Sequence, residues 1–117
     1  MEFDSGLEHL GKTWFIDLDG TLLIHNAYLK GGDVLIPNSL NFINEDIGEK
    51  DYIIITTGRD ECYREETIKF LNDNGIRFNH IIFGLPTGPR IVVNDKKPDG
   101  TKTAYSINVV RDSGNFV

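Results

Sequence analysis

The run Ile53-Ile54-Ile55, cut off by Thr56-Thr57-Gly58-Arg59, limits what this chain can fold into more than any other feature. Three consecutive β-branched residues suit a strand, and with no polar residue among them both faces must be covered, as in a parallel sheet. A parallel sheet in turn requires crossover segments, and the flanking sequence supplies them. Upstream, Pro37 followed by Leu40, Ile43 and Ile47 predicts a helix over about 37–47, ending near Gly48. Downstream, Asp60 can cap a helix whose inner face carries Tyr63, Thr67, Ile68 and Leu71, with Asn74-Gly75 as its stop.

Four further segments read as strands. Residues 13–18 are apolar until Asp17 and Asp19, Ile81-Ile82-Phe83 is short and apolar, and 90–95 reads Arg-Ile-Val-Val-Asn-Asp. Tyr105, Ile107 and Val109 alternate with polar residues, as an edge strand would. Residues 21–36 lack a steady period and predict a loop or small hairpin. The order strand, helix, strand, helix, strand, strand, strand predicts a compact Rossmann-like α/β fold, its mainly parallel sheet flanked by helices on both faces.

At 117 residues the chain is expected to form a single domain, 1–117. Its 26% charged residues and the lack of any long apolar stretch argue for a soluble, cytoplasmic protein with no membrane partner. A formal charge of -6 disfavours nucleic acid as the general partner. Cys62, the only cysteine, excludes an intrachain disulfide and reads as a small buried or half-buried side chain. His9, His25 and His80 have no ligand spacing, Trp14 packs the first strand, and Lys102 and Arg111 read as solvated cations.

In open parallel sheets, reactive groups collect beyond the carboxyl ends of the strands. Three such exits carry chemistry: Asp17-Leu18-Asp19-Gly20-Thr21, Thr56-Thr57-Gly58-Arg59, and Asn94-Asp95-Lys96-Lys97-Pro98-Asp99. Converging Asp17, Asp19 and Asp95 would repel one another without a cation, and Mg²⁺, a hard ion that takes carboxylate, water and phosphate oxygens, resolves the conflict. One oxygen of Asp17 could then bind metal while the other attacks a phosphomonoester, with Asp19 moving protons. Thr57 could donate to the phosphate, Gly20 and Gly58 could let backbone approach it, and Arg90, Lys96 or Lys97 could supply positive charge.

Phe15-Ile-Asp17-Leu-Asp19-Gly20-Thr21-Leu22 closely resembles the first motif of haloacid-dehalogenase-like phosphatases, and Ile53-Ile-Ile-Thr-Thr57-Gly58-Arg59 resembles the second. The resemblance implies Asp17 as nucleophile, Asp19 as acid/base with its backbone carbonyl on Mg²⁺, and Thr57 as the phosphate-binding hydroxyl. Asn94-Asp95 and Asn94-Asp95-Lys-Lys-Pro-Asp99 are alternative matches to the last motif. Both retain Asp95 as a metal ligand, leaving Asn94 and Asp99 as conditional neighbours of that ligand. Arg90 matches by order the cation that precedes this motif, with Lys96 and Lys97 as substitutes. The 22–35 and 59–81 intervals are too short for the cap domains of larger members.

A capless site is open unless the 22–35 hairpin, another subunit in a homo-oligomer, or a macromolecular substrate covers it. The resulting expectation is a Mg²⁺-dependent phosphatase acting through an aspartyl phosphate on a phosphorylated small molecule, such as a sugar phosphate. Mutase chemistry would need a way to retain the intermediate, and no cap is evident. The other readings are a phosphate-binding or regulatory module with little turnover and a nucleic-acid end phosphatase, whose binding would weaken strongly with salt.

Overall fold

A computed structural model of the chain describes residues 2, 3 and 6–116. Three parallel strands, β1 (Thr13–Asp17), β2 (Tyr52–Thr56) and β3 (His80–Ile82), form an open sheet in the order β1-β2-β3. Ile16 pairs in register with Ile55, Asp17 with Thr56, and Ile55 with Ile81. The pairing continues past the strand ends, where Leu18 N–H donates to the Thr56 carbonyl and Thr57 N–H to that of Ile82, each at 3.0 Å. These bonds hold the two polar exits side by side.

The alternation of strand side chains divides the sheet. Ile16, Ile53, Ile55 and Ile81 are buried, joined by Leu18, Leu22, Leu71 and Ile76 in one core. Each such side chain stabilises the fold by about 1.5–3 kcal/mol relative to exposure. Ile54 and its partner Phe15 occupy the opposite face, where Ile54 is half-buried and Phe15 is 59% exposed. Trp14 does pack β1, meeting Phe42 edge-on at 5.8 Å, and Phe42 stacks on Phe116 at 4.2 Å.

The first crossover is less regular than its apolar spacing predicts. Pro37 stays outside it, Asn38 is left-handed (φ 74°), and only Ser39–Asn41 (α1) is α-helical before a π-helical turn over Phe42–Asp46. The turn widens because Ile47 N–H reaches back to the Phe42 carbonyl at 3.2 Å, while Phe42, Ile43 and Ile47 remain buried. In the second crossover Asp60 caps the chain as expected, accepting from Cys62 N–H at 2.9 Å, but opens a 3₁₀ turn, Glu61–Tyr63. The helix α2 (Arg64–Asp73) follows, burying Thr67 and Leu71 and ending at Asn74-Gly75. Cys62 lies on the outer side of that turn and is exposed, contrary to the expected burial.

Residues 22–36 do form a small hairpin. Leu23 bridges Leu35, Ile24 N–H donates to Val34 at 2.9 Å, and Leu22, Leu23 and Ile36 are fully buried. The two last expected strands are not present. From 90 to 110 there is no strand, and the β-branched run Ile91-Val92-Val93 is exposed, Val93 at 92%. Propensity made this run a strand, but no neighbouring strand accepts its backbone, and a lone extended segment has nothing to stabilise it. Val109 alone of the 105–109 alternation packs partly against the core.

Candidate functional site

The chain must turn sharply after β1 for Asp17 and Asp19 to clear the sheet. It does so around the Leu18 carbonyl, which accepts from the N–H groups of Thr21, Leu22 and Leu23 at 3.0–3.3 Å. Gly20 permits this turn: its φ is 86°, and a Cβ there would lie 3.2 Å from Arg111 Cγ. Its carbonyl receives Asp112 N–H at 2.8 Å, while Asp112 Oδ1 accepts His25 N–H at 2.9 Å. The C-terminal turn therefore braces both the β1 exit and the hairpin.

Asp17 ends β1 with its side chain 44% exposed. Its Oδ2 accepts the Thr21 hydroxyl at 3.1 Å, and Oδ1 faces Arg90 Nη2 at 3.8 Å. Partial burial pushes its carboxyl above the usual range, while the Thr21 bond and the Arg90 charge pull it back. Arg90 is held by the carbonyls of Gly88 at 2.9 Å and Pro86 at 3.3 Å, so a turn rather than a strand aims it at Asp17.

Asp19 has different surroundings. Its Oδ2 accepts the Thr57 hydroxyl at 3.0 Å, and Arg59 reaches it with Nε at 3.1 and 3.2 Å and with Nη2 at 2.8 Å. Thr57 Oγ1 also accepts Arg59 N–H at 3.0 Å, which ties the β2 exit to itself. Gly58 lies between them, and a Cβ there would sit 3.3 Å from the Leu85 carbonyl oxygen. Arg59 is 3% exposed. Beyond Asp19 it bonds Asp33 with Nη1 at 2.9 Å and Nη2 at 2.6 Å, and Thr67 Oγ1 with Nη1 at 2.9 Å. The Tyr28 ring covers it at 3.9 Å. Burial opposes the guanidinium charge, but Asp33 and Asp19 outweigh it and hold Arg59 more firmly protonated than usual.

The third expected exit is built differently. Asp95 is exposed, and its carbonyl accepts the Thr103 hydroxyl. Asn94 donates to Thr103 Oγ1 at 2.7 Å, Lys97 N–H to the Thr101 carbonyl at 3.0 Å, and Thr101 N–H to Asp99 Oδ1 at 2.9 Å. Asn94, Asp95, Lys96, Lys97 and Asp99 thus belong to one exposed turn closed by its own neighbours. Among the described residues no group of three or more histidine, cysteine, aspartate or glutamate side chains is gathered as a metal site.

The structure therefore brings together Asp17, Asp19, Thr57, Gly58 and Arg90, with Asp95 and its lysines in a separate local turn. Arg59 and Asp33 are the additions. Arg59 stood in a recognised Thr-Gly-Arg turn, so its position was visible although its partners were not. Asp33, between Gly32 and Val34, carried no signal, because the contact that gives it meaning spans 26 residues. No family model, curated protein or solved structure matches the chain.

Proposed function

We propose that the chain is a Mg²⁺-dependent phosphomonoester hydrolase of the haloacid-dehalogenase-like type, working through an aspartyl phosphate at Asp17. The observation that carries this reading is the pairing at adjacent strand exits of a half-exposed carboxylate facing a cation, Asp17 with Arg90, and a second carboxylate held by Thr57 and Arg59. A Rossmann-like sheet with helices on both faces and no cap would leave this site open. A small phosphorylated metabolite, such as a sugar phosphate, and a cytoplasmic setting fit that openness and the acidic composition.

Asp17 attacks phosphorus with one carboxylate oxygen, and the bond to the ester oxygen breaks. Thr21 orients the nucleophile through its bond to Oδ2. Arg90 lies where it can offset charge on the phosphoryl oxygens. Asp19, after taking a proton from solvent and releasing its hold on Arg59, gives that proton to the departing alkoxide, then takes one from the water that attacks the aspartyl phosphate, releasing inorganic phosphate and restoring Asp17. The oxygen donors suit Mg²⁺: Asp17 and the Asp19 backbone carbonyl would hold it with water and substrate phosphate, and Asp95 is the remaining carboxylate candidate. When bound, Mg²⁺ supplies charge neutralisation on the transferring group.

The test is phosphate release from a panel of phosphorylated metabolites with Mg²⁺, paired with acid-quench trapping of protein-bound phosphate. Wild type should release phosphate and accumulate the trapped species. Asp17→Asn should abolish both, with turnover falling on the order of a thousandfold or more. Folded protein that turns over no ester, or an Asp17→Asn variant that still traps phosphate, refutes the assignment. A second reading, a phosphate-binding module with little turnover, is favoured by the exposed, locally bonded Asp95. It predicts saturable phosphate binding without release from any ester.

A further inference from the structure

Four of the arginines are engaged within the fold. Arg59 bonds Asp19 and Asp33, Arg64 pairs with Glu61, Arg77 donates to the carbonyls of Ile43, Ile47 and Gly48, and Arg90 rests on Gly88 and Pro86 and faces Asp17. Arg111 is the exception: it is exposed, and among the described residues no acceptor or carboxylate holds its guanidinium. Its backbone is nonetheless fixed. Asp112 (φ 61°) donates its N–H to the Gly20 carbonyl at 2.8 Å and turns Oδ1 to His25 N–H, while Ser113 N–H donates to the Val110 carbonyl at 3.1 Å. The stem of Arg111 lies against the β1 exit, since a Cβ on Gly20 would meet its Cγ at 3.2 Å and its Nε at 3.7 Å. Residues 90–111 hold five of the chain's 12 basic residues, Arg90, Lys96, Lys97, Lys102 and Arg111, and two of its 18 acidic ones, Asp95 and Asp99. An acidic protein thus keeps a surplus of cations on the one segment that begins beside Asp17 and ends against Gly20, which raises the local concentration of anions there.

We propose that Arg111 binds a second anionic group of the substrate, a carboxylate or a further phosphate, while Asp17 and Arg90 meet the phosphoryl group that is transferred. The inference rests on the phosphatase reading above and narrows its substrates to phosphomonoesters that carry another anion. Gly20 is three residues beyond Asp17, so their Cα atoms are no more than about 11 Å apart, an interval that the two anions of one small metabolite can span. A planar guanidinium offers paired N–H groups that fit a carboxylate or a phosphate equally. Arg90 is already committed to the reacting carboxylate at 3.8 Å and to two carbonyls, which leaves the second anion to Arg111. Because no acidic side chain competes for Arg111, binding there displaces only water. Its contribution is to holding the substrate, so it belongs to Kd and KM rather than to the chemical step.

The experiment uses two matched pairs of esters in Mg²⁺: 3-phosphoglycerate with glycerol 3-phosphate, which has a hydroxymethyl group in place of the carboxylate, and fructose 1,6-bisphosphate with fructose 6-phosphate. Isothermal titration of the Asp17→Asn protein, with and without Arg111→Gln, gives Kd with no ester consumed, and steady-state kinetics of Arg111→Gln alone separates kcat from KM. In at least one pair the member with the second anion should bind about tenfold more tightly than its partner; Arg111→Gln should remove that preference, leaving kcat and the partner's Kd within about twofold. A loss confined to the first pair assigns a carboxylate, and one confined to the second a further phosphate. Equal weakening of both members, no change in either pair, or no binding of any of the four compounds overturns the proposal. A preference that disappears with Arg111, in a protein whose wild type releases no phosphate, supports the anion site and refutes the hydrolase; release without any such preference does the reverse. If Arg111→Gln does not fold, Arg111→Lys keeps the charge and the stem over Gly20 but loses the paired N–H groups. A several-fold loss of preference then supports the proposal, and an undiminished preference overturns it.

Discussion

The β2 exit and the segment from 90 to 110 carry similar side chains in opposite surroundings. At the β2 exit, Arg59 is buried among partners that lie 40 residues away at Asp19 and 26 at Asp33. In the later segment, Asn94 and Asp95 are held by Thr103, nine and eight residues away, while Arg90 rests on carbonyls no more than four residues distant. A desolvated charge must find fixed partners or forgo ionisation, and only the assembled fold supplies them. An exposed charge is already solvated, so a local turn suffices. The first region is therefore where a single substitution should reach both stability and chemistry, and the second is where it should leave stability nearly unchanged, with Arg90 reaching chemistry through Asp17.

Arg59→Ala should have the largest effect on stability, because it leaves the Asp19 and Asp33 carboxylates facing each other without a cation. Loss of about 3–5 kcal/mol is expected, against less than about 1 kcal/mol for Arg90→Ala at its exposed pair. Urea midpoints of the two variants would decide. Comparable losses would mean that the Arg90 contact is buried in solution, or that the Arg59 cluster is not formed.

The apolar runs offer a second contrast. Ile55→Ala removes a fully buried side chain from the middle strand and should cost about 2–5 kcal/mol. Val93→Ala should cost no more than about 0.5 kcal/mol, since Val93 already faces solvent. A core-sized loss at Val93 would show that Ile91-Val92-Val93 packs against something in solution and would erase the distinction between the two regions.

A smaller effect is predicted for the exposed turn itself. Asp95→Ala should weaken Mg²⁺ binding several-fold and Asp99→Ala less, because only Asp95 is retained in both alignments of the last motif. Asp99 is already engaged by Thr101, whose side-chain hydroxyl and then N–H, the latter at 2.9 Å, hold its carboxyl below the usual range. Isothermal titration with Mg²⁺ tests this, and an equal or larger loss for Asp99→Ala would reverse the assignment.

A change the size of one hydrogen bond concerns Asp51, at the opposite end of β1 from the site. Burial pushes its carboxyl up, but the Trp14 indole N–H at 2.9 Å and the N–H groups of Lys12 and Gly48, both at 3.0 Å, outweigh it and leave it below the usual range. A lowered folded-state pKa contributes stability above the unfolded value of about 3.9, and that contribution disappears as pH falls through the folded value. Trp14→Phe deletes one of these bonds and should cost about 1 kcal/mol near neutral pH, with a smaller difference once Asp51 is protonated. Equal losses in neutral and acidic urea titrations would assign the effect to packing against Phe42 instead.

Short-range physics made much of the architecture legible in the residues. Ile53-Ile54-Ile55 and the run ending at Asp17 became paired strands, Asp60 and Asn74-Gly75 bounded the second crossover, and Asp17, Asp19 and Thr57 came to neighbouring exits. Each of these depends on propensity, capping or alternation within a few residues. Where the outcome depended on a distant partner, the same rules misled or were silent. Ile91-Val92-Val93 has the composition of a strand but no neighbour to pair with, and the helix foreseen from Pro37 begins only after Asn38 and widens to a π turn. The enclosure of Arg59 by Asp19, Asp33, Thr67 and Tyr28 was decided by tertiary structure alone, because burying a charge is tolerable only where several separate segments arrive with their polar groups already in place.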